Sequence, residues 1–582
     1  MRDAAWVRIV AGVGFGLTIL LGLASDGVHH DDDLTHFLMA RWAAWFPEYL
    51  LQLWARPGFT LPHAAVAWIG SPQTAWHLCR VLSAAVTLVS MLLAVGVARR
   101  LGVRSGAVVA AACYAPPLAC VLGATTLTEN VAGLYLIGAV ALLARGRRTT
   151  ASAVFSAALV TRYDLLVLVP VWWAALLGSG LSRARGRQPP PRTSADRGRI
   201  WGSVPAACAL SLWAPAAHQV LLWLLLDVEG WRIFARPMGS TDHPAAGLLA
   251  FVPHALHAVP PVITAAALLG GARLVRAGRW LVPALVGVFA LAHLLLRAGG
   301  LFASGGYGRF LIAVAPLTAI LISAGLTVPR NRRRWSLGTS SRTAADHLSP
   351  PYWGALAAVW LIGGLALYVE ASAGRIRLRA DLIAAVPMAA IALAGVCVLA
   401  GRSPRATRWG ERRGRRRPEF RRAAAGIMAL TWAVHFAAVV RPLRPNEGAR
   451  HVQAAIGWIA AEGLASRPLL ATSPWAAYYR GWVEHPRIRK GPRLAASMPV
   501  GSLILWDAVY APNNYHRLPL ATFRDDPAYR LLRAWPADAT PAIRLFEKTA
   551  RTPMPADEPA PYPPDLLGTL EPRGSYYVQP HR

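Results

Sequence analysis

The strongest constraint on this sequence is its series of apolar runs, most of them long enough to cross a bilayer as a helix of about 20 residues. Short arginine-rich segments separate the runs along most of the chain. Charged residues make up only 15% of the chain, whereas soluble domains carry about 25%. The sequence therefore predicts a polytopic α-helical membrane protein.

The formal net charge of +32 would suit a nucleic-acid-binding protein, but the positions of the arginines argue against that function. They fall between apolar runs, which is the pattern of cytoplasmic loops under the positive-inside rule. The clusters are Arg99-Arg100-Arg104, Arg145–Arg148, 183–199, Arg273–Arg279, 330–334 and 402–422. We therefore expect no nucleic-acid partner.

The arginine clusters also predict the topology. Residues 6–25 form a retained first helix rather than a signal peptide, because no small-residue cleavage motif follows it. Its N-terminus is then cytoplasmic. Residues 1–440 are expected to form a transmembrane domain with about 13 spans and a semi-polar, tryptophan-rich first outer loop at 26–79. The expected spans include the apolar runs at 106–124, 247–271 and 382–400, and the expected loops include a cytoplasmic one at 182–199 and an outer one at 227–243. One or two helices of that loop are expected to lie along the membrane surface.

The pattern changes near residue 441. Residues 447–464 have an amphipathic helical period, and short apolar strand candidates follow at Pro468–Ala471, Ser502–Trp506 and Ile543–Phe546. This alternation predicts a small α/β domain at 441–582. Because the last span runs outward, we expect this domain to be extracytoplasmic.

The first chemical candidate is the stretch His29–His36, in which three consecutive carboxylates follow the first apolar run. Asp31, Asp32 and Asp33 cannot all face one way on a helix or a strand. A carboxylate here can act as general base on an acceptor hydroxyl or amine. Alternatively, Asp31 with His30 can hold a divalent metal ion, or the stretch is only a solvated loop that ends the first helix.

Three further candidate positions are expected at outer helix ends. Glu129, in Thr-Leu-Thr-Glu-Asn, can bind substrate or simply interact with a helix dipole. Arg162 and Asp164, in Thr-Arg-Tyr-Asp, can bind phosphate or pair with each other. Arg309, in Gly-Tyr-Gly-Arg-Phe-Leu, can bind phosphate or reach the lipid headgroups.

The first outer loop carries a family resemblance. The apolar helix is followed by His30-Asp31-Asp32, an aromatic, Ala40-Arg41, and then Arg56-Pro57-Gly58 with Pro62-His63. This order resembles the first outer loop of GT-C fold glycosyltransferases, in particular the group of protein O-mannosyltransferases and the lipid A aminoarabinose transferase. The family usually has Asp-Glu and a Tyr here, whereas this chain has Asp-Asp-Asp and Thr35-His36-Phe37.

The resemblance implies an enzyme that moves a sugar from a polyprenyl-phosphate donor to a lipid, glycan or protein acceptor at the outer face. It implies a protein of the bacterial inner (plasma) membrane, in contact with membrane lipid. The resemblance also implies an acidic residue in this loop that serves as base or orients the acceptor. It maps onto Asp31, Asp32 or Asp33, with Asp32 preferred and Asp31 second. Substrate and phosphate binding are assigned to the later positions that match the group's motifs, which are Glu129, Arg162, Asp164 and Arg309. Two basic residues of the first loop, Arg56 and His63, are further candidates for the same role.

Other functions remain open at this stage. The sequence contains no GxxxxGK[ST], GxSxG or HExxH motif, and its five cysteines form no CxxC pair. No cofactor is therefore implied with certainty, apart from the divalent metal ion considered above. A transporter or flippase of lipid-linked saccharides and a non-catalytic scaffold with a binding domain are the alternatives to a transferase.

Overall fold

The chain is described from a computed structural model that covers most of its residues. The described residues are 2–103, 105–184, 203–226, 228, 230, 245–301, 307–327, 350–372, 432–433, 435–484, 490–512, 516–536, 542–553 and 577–578. Several sequence predictions lie outside them, namely most of the loop 182–199, nearly all of the outer loop 227–243, the arginine clusters 330–334 and 402–422, and the span 382–400.

The chain divides into two compact units. The first, here called the helical unit, contains residues 1–21, 82–124 and 128–441. The second, here called the mixed unit, contains residues 22–81, 125–127 and 442–582. The first outer loop thus belongs to the same unit as the C-terminal residues, although the sequence assigned it to the N-terminal domain.

Helices account for most of the described residues. In chain order they are α1 (Arg2–Leu23), α2 (Asp31–Trp42), α3 (Pro57–Ala67), α4 (Pro72–Arg100), α5 (Gly106–Tyr114), α6 (Pro117–Leu122), α7 (Thr128–Leu143), α8 (Arg148–Thr161), α9 (Val169–Ala184), α10 (Ser203–Leu210), α11 (Trp213–Leu226), α12 (Phe251–Ala258), α13 (Pro261–Arg276), α14 (Leu281–Gly299), α15 (Ala315–Leu326), α16 (Pro350–Ser372), α17 (Glu447–Ala461), α18 (Pro474–Arg480), α19 (Pro492–Ser497) and α20 (Ala521–Arg524). The 3₁₀ helices are Pro47–Leu50, Tyr163–Leu168 and Gly308–Val314.

Within the described residues, four helical segments are long and apolar enough to cross a membrane, or up to six if each of two bent helix pairs is one span. The four are Asp3–Leu23, Pro72–Arg100, Leu281–Gly299 and Gly308–Leu326. The bent pairs are α10 with α11, at 46°, and α12 with α13, at 91°. The larger number of spans expected from the sequence stays a prediction.

Prolines explain where predicted spans are interrupted. The run at 106–124 is divided into α5 and α6, and Pro116 and Pro117 lie at the break. The run at 247–271 bends by 91° between α12 and α13, where Pro260 and Pro261 are adjacent. A proline lacks the backbone N–H and disfavours helical geometry in the residue before it, so each pair ends one helix and starts the next.

Two glycines allow α13 and α15 to pack with their backbones in contact. A Cβ atom at Gly270 would lie 1.8 Å from the Leu321 carbonyl oxygen, and one at Gly325 would lie 1.9 Å from the Ala266 carbonyl oxygen. Small residues of this kind permit close helix packing in membrane proteins. This pair lies in the core of the helical unit, around Ala266 and Leu321.

The mixed unit contains all the strands of the described chain. They are β1 (Leu469–Ala471), β2 (Val483–Glu484), β3 (Leu503–Asp507), β4 (Tyr529–Trp535), β5 (Ile543–Lys548) and β6 (Tyr577–Val578). The main sheet has the order β1-β3-β5-β4, with β1 parallel to β3 and the other pairs antiparallel. β2 and β6 form a separate antiparallel pair.

One hydrophobic core joins the first outer loop to this sheet. Phe37 of α2 and Trp76 of α4 belong to the same buried cluster as Val452 of α17, Leu503 of β3 and Leu545 of β5. The loop is therefore a packed part of the mixed unit, and its two α-helices, α2 and α3, have fixed partners.

The C-terminal region has secondary structure where the sequence analysis expected it, whereas the α/β domain at 441–582 stays a prediction. The amphipathic helix is α17, and the three strand candidates correspond to β1, β3 and β5. β4 was missed because its sequence, Tyr-Arg-Leu-Leu-Arg-Ala-Trp, carries two arginines and most of its residues are not fully buried. The outer location of this region stays a prediction.

Gly270→Ala should destabilise the protein, because its new methyl group has no space against α15 and overpacking costs about 1–3 kcal/mol. The matched control is Gly271→Ala, where the nearest atom to the new Cβ is 3.8 Å away. That substitution should be neutral or stabilising, since Ala exceeds Gly in helix propensity by up to about 1 kcal/mol. Thermal unfolding in detergent measures both. Equal melting temperatures for the two variants would contradict the close helix contact.

Candidate functional site

The three aspartates form the first turn of α2. The sequence placed them in a loop after the first helix, but the structure starts a second helix at Asp31. His30 is the N-cap residue, and its Nδ1 accepts a hydrogen bond from the Asp32 backbone N–H at 3.3 Å. Carboxylates in a first turn are stabilised by the positive end of the helix dipole, which explains why an acidic run is compatible with a helix start.

Asp33 is fully buried and binds the neighbouring segment 125–127 through Thr126. Its Oδ1 accepts a hydrogen bond of 2.6 Å from the Thr126 backbone N–H and a second one from the Thr126 hydroxyl. The Trp76 indole N–H donates to the same hydroxyl at 3.1 Å. Asp33 therefore fixes the segment 125–127 against α2.

Asp31 and Asp32 are only partly buried, unlike Asp33. Asp32 Oδ2 lies 3.2 Å from His30 Nδ1, and Asp31 Oδ1 accepts a hydrogen bond of 3.4 Å from the indole N–H of Trp475 in α18. His30 Nδ1 cannot accept from the Asp32 amide and donate to the Asp32 carboxylate at once, so only one of these two contacts is a hydrogen bond in a given tautomer of the imidazole. The two partly exposed carboxylates are the ones that a substrate can reach.

Arg80, in α4, is a buried residue that the sequence analysis did not select. Its guanidinium lies 3.9 Å from the centre of the Trp76 ring. It donates hydrogen bonds to the carbonyl oxygens of Gly22 at 3.2 Å, Gly27 at 2.5 Å and Ser25. Arg80 therefore fixes the segment that leads from α1 to the aspartates. A single arginine inside an otherwise apolar run was the signal in the sequence.

Arg56 and His63, the two first-loop candidates for phosphate binding, have local roles in the structure. Arg56 precedes α3 with φ at 60°, and its guanidinium lies 5.4 Å from the Trp54 ring centre. His63 is fully buried, stacks on Phe59 at 3.9 Å, and its Nδ1 lies 3.0 Å from the Phe59 carbonyl oxygen. Burial lowers the pKa of His63 to about 4, so it carries no charge at pH 7.

The structure offers no complete set of ligands for a metal ion in the described part of the chain. No group of three or more His, Cys, Asp or Glu side chains converges there. Asp31 and His30 alone would supply too few protein ligands for a dedicated site.

The helical unit contains a second set of candidates, here called the charged cluster: Glu129, Arg162, Asp164, His293 and Arg309. These residues come from the first turn of α7, the end of α8, the 3₁₀ helix that follows α8, α14, and the 3₁₀ helix before α15. All are buried, with exposed fractions of 1% for Glu129, 9% for Arg162, 8% for Asp164, 2% for His293 and 5% for Arg309. Four of the five were selected from the sequence.

Arg162 is the centre of the charged cluster. Its Nε and Nη2 donate to the two oxygens of Asp164 at 3.1 and 2.5 Å. Its Nη1 lies 2.7 Å from Glu129 Oε1. The guanidinium thus binds one carboxylate with two hydrogen bonds and a second carboxylate from another helix.

Arg309 and His293 complete the cluster at longer range. Arg309 Nε lies 3.8 Å from Glu129 Oε1, beyond hydrogen-bond distance. His293 Nε2 lies 3.2 Å from Asp164 Oδ2. Glu129 Oε2 is buried and has no hydrogen-bond partner among the described residues. The cluster therefore contains one carboxylate oxygen, Glu129 Oε2, that can still accept a hydrogen bond.

Glycines and one aromatic ring set the position of Arg309. A Cβ atom at Gly308 would lie 2.0 Å from the His254 carbonyl oxygen, and one at Gly133 would lie 3.2 Å from the Ala313 carbonyl oxygen. The 3₁₀ helix thus packs closely on α12 and α7. Phe310 lies between the two guanidinium groups, at 4.8 Å from Arg162 and 5.4 Å from Arg309.

His293 was missed in the sequence because it is a single histidine in the apolar run of α14. Three phenylalanine rings surround it, from Phe251, Phe289 and Phe310, at centroid distances of 6.0, 4.6 and 5.0 Å. A histidine among apolar residues usually has a structural role. The contact with Asp164 is the observation that makes His293 a candidate functional residue.

Comparisons with known proteins bear on the fold. No protein-family model and no curated protein matches the sequence. The crystal structure of ArnT from Cupriavidus metallidurans bound to undecaprenyl phosphate matches with a TM-score of 0.52 and 14% identity, over 94% of this chain and 99% of that chain. The apo state of the same protein matches with a TM-score of 0.52, over 95% of this chain and 100% of that chain. An oligosaccharyltransferase from Archaeoglobus fulgidus matches with a TM-score of 0.42 and 10% identity, over 87% of this chain and 69% of that chain.

The match to ArnT extends over nearly the whole of both chains. At 14% identity it establishes the fold alone. The chain has the GT-C fold that its first-loop motif predicted.

Proposed function

We propose that this protein is a membrane glycosyltransferase that moves a sugar from a polyprenyl-phosphate donor to an acceptor at the outer membrane face. The observation that carries the proposal is the charged cluster, in which two arginines and two carboxylates are buried in an apolar helical unit. Ionisable groups at such a position are costly and are generally functional. The GT-C fold, shared with an ArnT that was crystallised with undecaprenyl phosphate, supports the donor class.

Arg309 is assigned to the donor phosphate. Guanidinium groups match phosphate oxygens with paired, charge-assisted hydrogen bonds. Arg162 already binds both oxygens of Asp164 and one of Glu129, whereas the Arg309 contact with Glu129 is longer, at 3.8 Å. We therefore assign the phosphate to Arg309, at the start of the 3₁₀ helix Gly308–Val314, and give Arg162 the role of holding the two carboxylates in place.

Glu129 is assigned to the sugar or phosphate end of the donor. Its Oε1 faces Arg162 at 2.7 Å, and its Oε2 has no hydrogen-bond partner among the residues that the structure describes. A buried carboxylate oxygen without a partner is unfavourable. A sugar hydroxyl that donates to Oε2 would remove that cost.

Asp32, with Asp31 as second candidate, is assigned to acceptor activation. The carboxylate takes the proton from the acceptor hydroxyl or amine, the acceptor attacks the anomeric carbon, and polyprenyl phosphate leaves. Both side chains are partly exposed, whereas Asp33 is buried and its Oδ1 is bound by Thr126. We therefore give Asp33 a positioning role. No step is assigned to a metal ion, since Asp31 and His30 alone make an incomplete ligand set.

A transporter of lipid-linked saccharides is the second candidate, favoured by the two bent helix pairs α10–α11 and α12–α13. Interrupted membrane helices often form substrate sites in transporters. A transporter would move the lipid-linked saccharide between leaflets of proteoliposomes with its sugar–phosphate bond intact. A transferase breaks that bond, so analysis of the products distinguishes the two functions.

Asp32→Asn should lower kcat for sugar transfer by about 10²- to 10⁴-fold, because it removes the general base. Initial rates with purified protein and undecaprenyl-phosphate-linked sugars measure this, and Asp31→Asn is tested in parallel. Asp525→Asn, a change of an exposed carboxylate in the same unit, is the control and should leave kcat unaltered. Asp33→Asn should lower the melting temperature. Unchanged transfer in both the Asp31 and the Asp32 variants would remove their assigned role.

Arg309→Gln should raise KM for the polyprenyl-phosphate donor by about 10- to 100-fold, since a charge-assisted hydrogen bond contributes about 1.5–3 kcal/mol. Steady-state kinetics with varied donor concentration measure the effect. Arg276→Gln, at an exposed arginine of α13, removes the same charge elsewhere and is the control. If both variants show the same donor KM as the wild type, the phosphate site does not include Arg309.

A further inference from the structure

The mixed unit contains a group of polar side chains where β1 and β3 end. The two strands are parallel, with Ala471 aligned to Leu505. Continuing that register places Thr472 beside Trp506 and Ser473 beside Asp507. Ligands of open α/β sheets generally bind outside the carboxyl ends of the strands. The edge formed by Thr472, Ser473 and Asp507 is therefore where a ligand of this sheet is expected.

This edge is adjacent to the first turn of α2. Trp475, two residues after Ser473, donates its indole N–H to Asp31 at 3.4 Å. Asp507 Oδ1 accepts from the backbone N–H groups of Val509 and Tyr510 at 2.8 and 3.3 Å. That turn brings the Tyr510 hydroxyl next to the Asp31 carboxylate. The edge and the candidate base are therefore parts of one site within the mixed unit.

One side chain at the edge lacks a partner for its polar atom. Thr472 is 4% exposed, and its hydroxyl has no hydrogen-bond partner among the described residues. Native structures rarely leave a buried hydroxyl unsatisfied, and an exception calls for an explanation, such as a bound water, ion or ligand. A ligand that can both donate and accept hydrogen bonds would satisfy Thr472.

The charges at the edge restrict the class of ligand. Asp31, Asp32 and Asp507 are carboxylates, so an anionic ligand would be repelled. Burial, together with Asp31 and Asp507, raises the pKa of Tyr510, so its phenol stays a neutral donor. Burial also raises the pKa of Asp507. Hydroxyl groups of a saccharide can donate to the carboxylates and accept from Thr472 and Tyr510.

We propose that the carboxyl edge of β1 and β3, with Thr472, Asp507 and Tyr510, binds the hydroxyl groups of a neutral saccharide acceptor and presents it to Asp31 and Asp32. This inference rests on the proposed transferase function and specifies its acceptor. Tyr510 is a binding residue in this site, because its hydroxyl lies next to Asp31 and can donate to a hydroxyl group of the bound acceptor.

The test is a binding measurement that needs no catalysis. Saturation-transfer NMR on the purified full-length protein uses methyl glycosides of hexoses and pentoses as hydroxyl-rich probes and ethanolamine as an amine probe. At least one glycoside should bind. Thr472→Val and Tyr510→Phe should each raise its Kd by about threefold to tenfold, the effect of one lost neutral hydrogen bond.

Tyr529→Phe is the matched control for Tyr510→Phe. The Tyr529 hydroxyl donates to the Ala495 carbonyl oxygen at 3.2 Å elsewhere in the same unit, so its loss should lower the melting temperature without changing glycoside binding. Thr472→Val should keep or raise the melting temperature, because it removes an unsatisfied buried hydroxyl. This result separates a ligand-binding role from a structural one.

Three outcomes would overturn the inference: no glycoside binds, ethanolamine binds in place of the glycosides, or the Thr472 and Tyr510 variants keep the wild-type Kd. These outcomes leave the transferase proposal standing if purified protein still transfers sugar and Asp32→Asn abolishes that transfer. Conversely, glycoside binding at this edge without any sugar transfer would refute the transferase function and not the binding site.

Discussion

The bridge made by Arg162 between Glu129 and Asp164 is the interaction on which the helical unit's candidate site depends. Each of these groups would be costly to bury alone, and removing one partner from a buried pair typically destabilises a protein by about 3–5 kcal/mol. The bridge joins the start of α7 to the end of α8 and the 3₁₀ helix that follows. Such a network is weak evidence for stability but a strong indication of a functional site.

The mixed unit uses its three adjacent aspartates differently. The helical rotation of about 100° per residue sends Asp33 into the core, where Thr126 binds it, and leaves Asp31 and Asp32 partly exposed. Arg80 fixes the chain that precedes them by binding three carbonyl oxygens. A carboxylate that serves as a base needs this kind of support, because small displacements lower the rate steeply.

Hydropathy predicted that the chain is mainly helical with long apolar helices, because the length and composition of an apolar run are local properties. The orientation that the arginines indicate stays a prediction. Local sequence did not predict partners that are distant in the chain. The bond between Asp33 and Thr126 spans 93 residues, and His293 meets Asp164 only after several helices pack. The start of α2 was assigned to a loop, although an acidic run after a potential N-cap also favours a helix start.

The central claim is that the protein recognises a lipid through its phosphate. The most direct measurement compares the binding of undecaprenyl phosphate and undecaprenol to the purified wild-type protein, for example by native mass spectrometry with competition. The two lipids share their apolar chain, so the difference isolates the phosphate. The account predicts that undecaprenyl phosphate binds at least about tenfold more tightly, as one charge-assisted hydrogen bond requires. Equal affinities for the two lipids would contradict it.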